Sequence, residues 1–278
     1  RTTDEIEAAL QTDCIAILPR IEPQPNLSIA ASGDYGPRTI ERDGGLYWHV
    51  LNEPFSRFTE SIRAIKVAAD LASRTGTGKV IGFTSSLPNE GKSTVATGFA
   101  ELLAQSGAKT ILIDGDLRNP SLTRGLTPDT QMGLLDVLSG KAGLASVTWK
   151  EPKTRLEFLP SVVSTRTAQT SDILASSAMK SLIDDLRKRY DYVVVDLSPL
   201  APVVDVRTTA HLIDSYVFVI EWGRTKVDIV EHALNGARNL RDNILGVVLN
   251  KADLSLMSRY GYHGYYKNEY YRRYGYSD

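Results

Sequence analysis

The sequence predicts an α/β fold, a doubly wound and mostly parallel sheet with helices on both faces. Two observations predict it. Short, almost wholly apolar runs alternate with amphipathic segments from Lys79 onward, the pattern of strands buried on both sides. The first of these runs ends in a glycine-bearing turn that opens onto a helix-like stretch, the context of a phosphate-binding loop.

Taken in order, residues 5–10 read as a short helix and Cys14–Leu18 as a short strand ending at Pro19. Residues 22–45 hold prolines, glycines and serines without periodicity and read as a loop. Phe58, Ile62, Ile65, Ala69 and Ala72 then recur on one helical face. A strand at 79–85 is followed by a helix carrying Val95, Phe99, Leu102 and Leu103 on one side, and by a second strand at 109–114. Residues 156–160 suggest another strand. A helix over 171–189, with Met179, Leu182, Ile183 and Leu186 inward, leads into a strand at 192–196. Strands at 215–221 and 244–250 flank a helix at 226–241. The division expected is an extension at 1–52, a main domain at 53–256 and a tail at 257–278. In that tail eight of the chain's thirteen tyrosines crowd together, at Tyr260, Tyr262, Tyr265, Tyr266, Tyr270, Tyr271, Tyr274 and Tyr276.

Composition narrows the classes. The formal net charge of −1 gives no bulk attraction to nucleic acid, so no nucleic-acid partner is expected. Cys14 is the single cysteine, which excludes an intramolecular disulfide and a cysteine-rich metal site. His49, His211, His232 and His263 are scattered without metal-ligand spacing. No run of about 18 apolar residues occurs, the length that a spanning helix needs.

Chemistry concentrates in Ser86-Leu-Pro-Asn-Glu-Gly-Lys-Ser-Thr94. Backbone N–H groups of such a loop point at phosphate oxygens, and the helix N-terminus favours their charge. Pro88, Asn89, Glu90 and Gly91 supply that backbone. Lys92 is placed for the β- and γ-phosphates, Ser93 for Mg²⁺ and Thr94 for the α-phosphate. Ser86 stands where the common pattern has glycine. Three carboxylates join the loop at predicted strand ends, namely Asp114, Asp116 and Asp196. Ligands of doubly wound sheets lie beyond those ends, and Mg²⁺ uses one or two carboxylates and keeps its waters. Asp196 suits the metal. Asp114 and Asp116 divide metal assistance from proton acceptance. Arg118 reaches phosphate or faces solvent. A nucleotide and Mg²⁺ are the ligands expected.

These segments, SSLPNEGKST (85–94), ILIDGDLRNP (111–120) and VVVDLSP (193–199), resemble the bacterial tyrosine kinases of capsular and exopolysaccharide systems. That family belongs with P-loop NTPases of the deviant Walker type, related to ParA and MinD proteins. The resemblance covers roughly 53–278. It implies an ATP-dependent tyrosine autokinase in which Lys92, Asp114, Asp116 and Asp196 are catalytic. Asp114 would be the base, and Ser93, Asp116 and Asp196 would hold the metal. The tail tyrosines would be phosphorylated in trans. Glu60, Arg63 and Lys66 match the family's E-x-x-R-x-x-R element, with lysine at its third position, and imply a ring of subunits, possibly an octamer. The remaining partners implied are a membrane activator domain in the same full-length chain, polysaccharide synthesis and export machinery, and a phosphotyrosine phosphatase. Location would be cytoplasmic, tethered to the inner membrane.

Two other readings stay open here. A ParA/MinD-like ATPase acting as a nucleotide-gated scaffold has a second loop lysine, where this chain has Leu87. A GTPase would use Asn250-Lys251-Ala252-Asp253, which matches NKxD.

Overall fold

The computed structural model describes residues 3–22, 37–41, 45–72, 78–163 and 169–259. In chain order these form α1 (Thr3–Leu10), β1 (Cys14–Pro19), a 3₁₀ turn at Leu46–Trp48, α2 (His49–Asn52) and α3 (Arg57–Ala72). Next come β2 (Lys79–Ser85), α4 (Lys92–Gln105), β3 (Thr110–Asp114), α5 (Ser121–Leu126), α6 (Leu134–Leu138) and α7 (Leu144–Val147). β4 (Trp149–Lys150), β5 (Glu157–Leu159), α8 (Thr170–Leu174), α9 (Ser177–Arg189) and β6 (Tyr192–Asp196) follow. The last are β7 (Ser215–Glu221), α10 (Val227–Asn235), β8 (Ile244–Ala252) and α11 (Leu254–Arg259).

The strands make one sheet in the order β1-β8-β7-β2-β6-β3-β5-β4. All neighbours are parallel except β4 and β5. β2 lies between β6 and β7, with β3 beyond β6, so the chain leaves β2 toward both edges. The crevice beyond its carboxyl end is the switch point where doubly wound sheets take ligands.

Each strand sends alternate side chains to opposite faces, and two cores result. Ile81, Phe83, Leu112 and Val194 pack with α3 and α4 on one face. Val80, Ile113, Val193 and Val195 pack with α1, α9 and α10 on the other. Phe83 of β2 and Phe99 of α4 are both fully buried, with ring centroids 5.3 Å apart. That contact clamps the two elements joined by the phosphate loop.

The strands expected at 79–85, 192–196 and 215–221 have those bounds, because each is a β-branched and aromatic run buried along its length. Two expected helices are shorter than their periodicity. The 171–189 segment is two helices, because Ser176 ends one run and caps the next by accepting a hydrogen bond from the Met179 N–H. The 226–241 segment stops at Gly236 and continues as 3₁₀ turns over Arg238–Asn243. The described part of 1–52 is joined to the sheet: β1 pairs in parallel with β8, while Trp48 and Val50 are buried in the α3/α4 core. No described helix is long and apolar enough to cross a membrane. The tail tyrosines lie outside the described residues.

Candidate active site

The phosphate loop turns through left-handed backbone at Asn89 (φ 68°) and Gly91 (φ 92°). A side chain at Gly91 is excluded twice over, by its φ and by space. An added Cβ would stand 2.1 Å from Asn250 Nδ2. Asn250, at the end of β8, donates from that nitrogen to the Glu90 carbonyl at 2.9 Å. Lys251 donates to the Asn89 carbonyl. Glu90, expected at the ligand, turns its side chain into the protein. Its carboxylate accepts from the Leu87 N–H (2.7 Å), the Glu221 N–H (3.1 Å) and the Thr225 hydroxyl (2.5 Å). The loop is therefore held to β7 and β8 from behind.

At the start of α4 the charged groups converge. Lys92 Nζ stands 3.1 Å from Asp116 Oδ2 and 3.2 Å from Asp196 Oδ1. The Ser93 hydroxyl donates to Asp196 Oδ2 at 2.6 Å and lies 3.2 Å from the Ser121 hydroxyl. Asp196 reaches this point because β6 lies beside β2. Asp114 and Asp116 reach it because β3 lies beside β6. Asp114 is recessed and fully buried. Its Oδ2 accepts from both the N–H and the hydroxyl of Thr123 at 2.8 Å. Its Oδ1 receives only a long 3.3 Å bond from the Asp116 N–H.

Three carboxylates thus crowd one ammonium. Burial, reinforced by Asp196, pushes Asp114 up to about 7, against the pull of Thr123 and Lys92. Burial also raises Asp196, although Lys92 and Ser93 oppose it. Burial alone would lower Lys92, but Asp196 and Asp116 outweigh it and raise the group, so it stays a cation. Additional positive charge is what this cluster favours.

A cavity of about 450 Å³ opens in front of these groups. Pro88, Asn89, Gly91, Lys92, Ser93, Thr94, Asp116 and Arg118 all face it, together with Tyr47, Ser121 and Ser198. Arg118 is fixed at its edge by a two-pronged pairing with buried Asp205, at 2.8 and 2.9 Å. A second space of about 1040 Å³ adjoins the loop at Gly91 and Thr94. Asn250, Lys251, Trp222 and Arg224 border it.

The residues suit a nucleotide phosphate chain and its metal. The buried Ser198 hydroxyl lines the cavity with no hydrogen-bond partner in the protein, and the buried Ser86 hydroxyl beneath the loop has none either. Among the described residues no group of three or more acidic, histidine or cysteine side chains forms a preformed metal cage. Mg²⁺ needs none, since one hydroxyl and one or two carboxylates suffice beside its waters. Ser93 and Asp196 are such a pair.

Glu60, Arg63 and Lys66 lie off the buried stripe of α3, each about one-third exposed. Arg63 pairs with Glu60 at 2.9 Å, and Lys66 with Asp70 at 2.7 Å. Motif reading did not anticipate four residues: Tyr47, Ser121, Thr123 and Ser198. Ser198 was within reach, two residues past Asp196. The others sit in segments without a pattern of their own.

Comparison with known proteins agrees with this geometry. The AAA domain family model matches residues 78–254. The chain is 31% identical over 214 residues to the tyrosine-protein kinase YwqD of Bacillus subtilis, covering 77% of this chain and 90% of that protein. It is 42% identical over 212 residues to the succinoglycan biosynthesis transport protein ExoP of Rhizobium meliloti, covering 76% of this chain but only 27% of that much longer protein. Among solved structures, the BceF tyrosine kinase domain superposes with a TM-score of 0.72 at 27% identity, over 90% of this chain and 97% of that one. The VpsO kinase domain gives a TM-score of 0.61 at 30% identity, over 70% and 95%. The chain belongs to the family of bacterial tyrosine-protein kinases, built on a nucleotide-binding P-loop fold.

Proposed function

We propose that this chain binds ATP with Mg²⁺ and transfers the γ-phosphoryl group to tyrosine phenols, foremost those of its own tail on a neighbouring subunit. The observation that carries the reading is that Lys92, Ser93 and Asp116 face one cavity at the phosphate loop, with Asp196 buried directly behind Lys92 and Ser93.

The chain's own groups divide the work. Loop N–H groups and the α4 N-terminus hold the phosphates. Lys92, Ser198 and Arg118, which line the cavity, would offer donors to the phosphate oxygens. Ser93 and Asp196 would hold the metal, with Asp116 beside them. Bound Mg²⁺ supplies positive charge that offsets the phosphate oxygens in the transition state. Asp114 takes the phenol proton through Oδ1, the oxygen that Thr123 leaves open. A base near 7 is matched to neutral pH. Phosphoryl transfer needs little more than such positioning and charge.

The larger space beside the loop takes the nucleoside. An adenine reading is favoured over guanine by Asp253. Its Oδ1 already accepts from the Ser255 N–H, the Leu256 N–H and the Ser255 hydroxyl, and so caps α11. A guanine-selecting aspartate has to be free for the base. In the proposed organisation, 53–256 is the kinase body, completed at its edge by β1 and α2, and 257–278 is the acceptor tail. The wider role is in exopolysaccharide or capsule synthesis and export. It would involve a homo-oligomeric ring, a membrane activator domain in the full-length protein that tethers the kinase to the inner membrane on its cytoplasmic side, and a phosphotyrosine phosphatase.

Mass spectrometry of recombinant protein incubated with Mg–ATP tests the reaction. Phosphotyrosine on tail peptides is expected. Lys92→Met should lower its rate on the order of 10²–10³-fold, the loss typical of one key electrostatic group. GTP in place of ATP should give no label. Equal labelling of the Lys92→Met protein would end the proposal.

A further inference from the structure

Away from the active site, a cavity of about 1070 Å³ opens at the amino-terminal end of the sheet. Thr110 and Glu157, the first residues of β3 and β5, line it together with the turn that joins β4 to β5. Its charge is one-sided. Lys109, Lys150, Lys153, Arg155 and Arg189 face it, against Glu151 and Glu157. Both carboxylates are already engaged. Glu151 is buried and accepts from the Thr154 N–H and hydroxyl, each at 2.6 Å. Glu157 accepts from the Tyr190 hydroxyl at 2.5 Å and pairs with Lys150 at 2.9 Å. Arg189 pairs with Asp185 at 2.5 Å. Lys109, Lys153 and Arg155 are exposed and form no ion pair with another described residue.

The turn that carries two of these three cations is strained. Arg155 has left-handed backbone at φ 65°, where a side chain crowds the following carbonyl. The turn holds it there nonetheless, by the Arg155 N–H to the Glu151 carbonyl and the Glu151 N–H to the Leu156 carbonyl, both at 2.9 Å. An arginine kept where glycine would sit without strain, beside two unpaired lysines, points to charge held for a ligand.

We propose that this cavity binds the phosphorylated tail and so holds the modified segment away from the catalytic end. The inference rests on the kinase reading above, because its ligand is the product of that reaction. Charge complementarity names the occupant. Residues 260–278 carry Lys267, Arg272 and Arg273 against Glu269 and Asp278, so the unmodified segment is slightly basic and is repelled. Each phosphotyrosine adds about −1.5 to −2 charges, and two of them reverse the sign. Phosphate oxygens accept strongly from guanidinium and ammonium donors, and clustered cations recognise phosphorylated peptides. Length permits the docking. α11 leads into the tail from the catalytic side, where Leu254 and Leu256 border the space beside the phosphate loop. An extended segment of the size of 260–278 spans roughly 60 Å, whereas β3, which runs between the two ends, is only about 17 Å long.

The test titrates a synthetic peptide of residues 260–278, with Tyr270, Tyr271 and Tyr274 either phosphorylated or free, onto the full Lys92→Met chain, whose own tail stays unmodified. Fluorescence anisotropy should show the phosphorylated peptide binding at least about tenfold more tightly than the free one, with an affinity that falls as salt rises. Lys153→Ala combined with Arg155→Gly removes two charges and suits the left-handed backbone. That double variant should bind both peptides equally weakly, yet unfold at an unchanged or higher temperature. Equal binding of the two peptides to the parent chain, or undiminished binding to the double variant, would overturn the inference. Polyglutamate competing as strongly as the phosphopeptide would overturn it too, since the cavity would then be a general polyanion surface. Because the peptide is synthetic, binding is read without catalysis. A wild type that phosphorylates its tail but lacks this binding refutes the docking site alone, and one that forms no phosphotyrosine with Mg–ATP removes the ligand and overturns both readings.

Discussion

At the scale of single residues, Asp114 sets the pH behaviour of the site. Its carboxyl is raised to about 7 because it is buried and stands near Asp196. Two consequences follow, of opposite sense. If Asp114 is the base, as proposed, it works only when ionised, so transfer should rise with pH to about 7 and then level off. Stability runs the other way. A carboxyl whose folded value lies above its unfolded value favours folding below the unfolded value, near 3.8, and loses that contribution as pH climbs through 7. Asp114→Asn keeps an oxygen for Thr123 and removes the buried charge. Thermal unfolding should show the variant more stable than the wild type at pH 8, by about 2–4 kcal/mol at most, with the advantage gone near pH 4. Its transferase activity should be lost at every pH. A variant that is active, or is destabilised at pH 8, would show that Asp114 neither takes the proton nor carries a costly charge.

At the scale of elements, the phosphate loop depends on a glycine that two separate constraints demand. Gly91→Ala would strain a backbone at φ 92° and press on Asn250, the side chain that ties β8 to the loop. Nucleotide affinity, measured by titration calorimetry, should fall by at least about tenfold, the effect of roughly 1.4 kcal/mol. The fold should persist, because the Phe83–Phe99 contact below the loop is untouched. An unaltered affinity would mean that the loop is not held in one shape. This element was legible in the sequence because three signals coincide within 79–105: an apolar run, a Gly-Lys-Ser turn and a helical stripe. Asp114, Asp116 and Asp196 were legible for a related reason, since each directly ends or follows a fully apolar strand. What stayed hidden depends on contacts between distant segments. Glu90 reads as part of the loop, yet its carboxylate is consumed by β7 and Thr225. β4 has only two residues, too short to show alternation. Tyr47 lies within Gly-Leu-Tyr-Trp-His, where nothing local marks a ring that will lie across Gly125 and line the cavity.

At the scale of the whole molecule, the proposed transfer to a neighbouring tail requires contact between copies of the chain, and α3 carries a surface suited to one. Along its outward side Glu60 pairs with Arg63 and Lys66 with Asp70, all of them roughly one-third exposed. Such surface pairs contribute little within one chain, about 0–1 kcal/mol each, so exchanging them for partners on a second chain costs little. Beside them Val67 and Leu71 are 56% and 82% exposed, and Phe55, just before the helix, is 66% exposed. Apolar side chains interleaved with exchangeable charges suit an interface between copies of the chain. Replacing both Val67 and Leu71 by aspartate should shift the protein to a smaller species in size-exclusion chromatography with light scattering, with circular dichroism unchanged. Tail labelling in the variant should become slow and dependent on concentration. Phosphorylation of the wild type bears on the same equilibrium. Each modified tyrosine adds about −1.5 to −2 charges, and in the proposed ring several on one tail would repel their neighbours, so the assembly should loosen after incubation with Mg–ATP. A wild type of constant mass carrying a fully modified tail would separate phosphorylation from assembly. A double variant that assembles as before would place the interface elsewhere than α3.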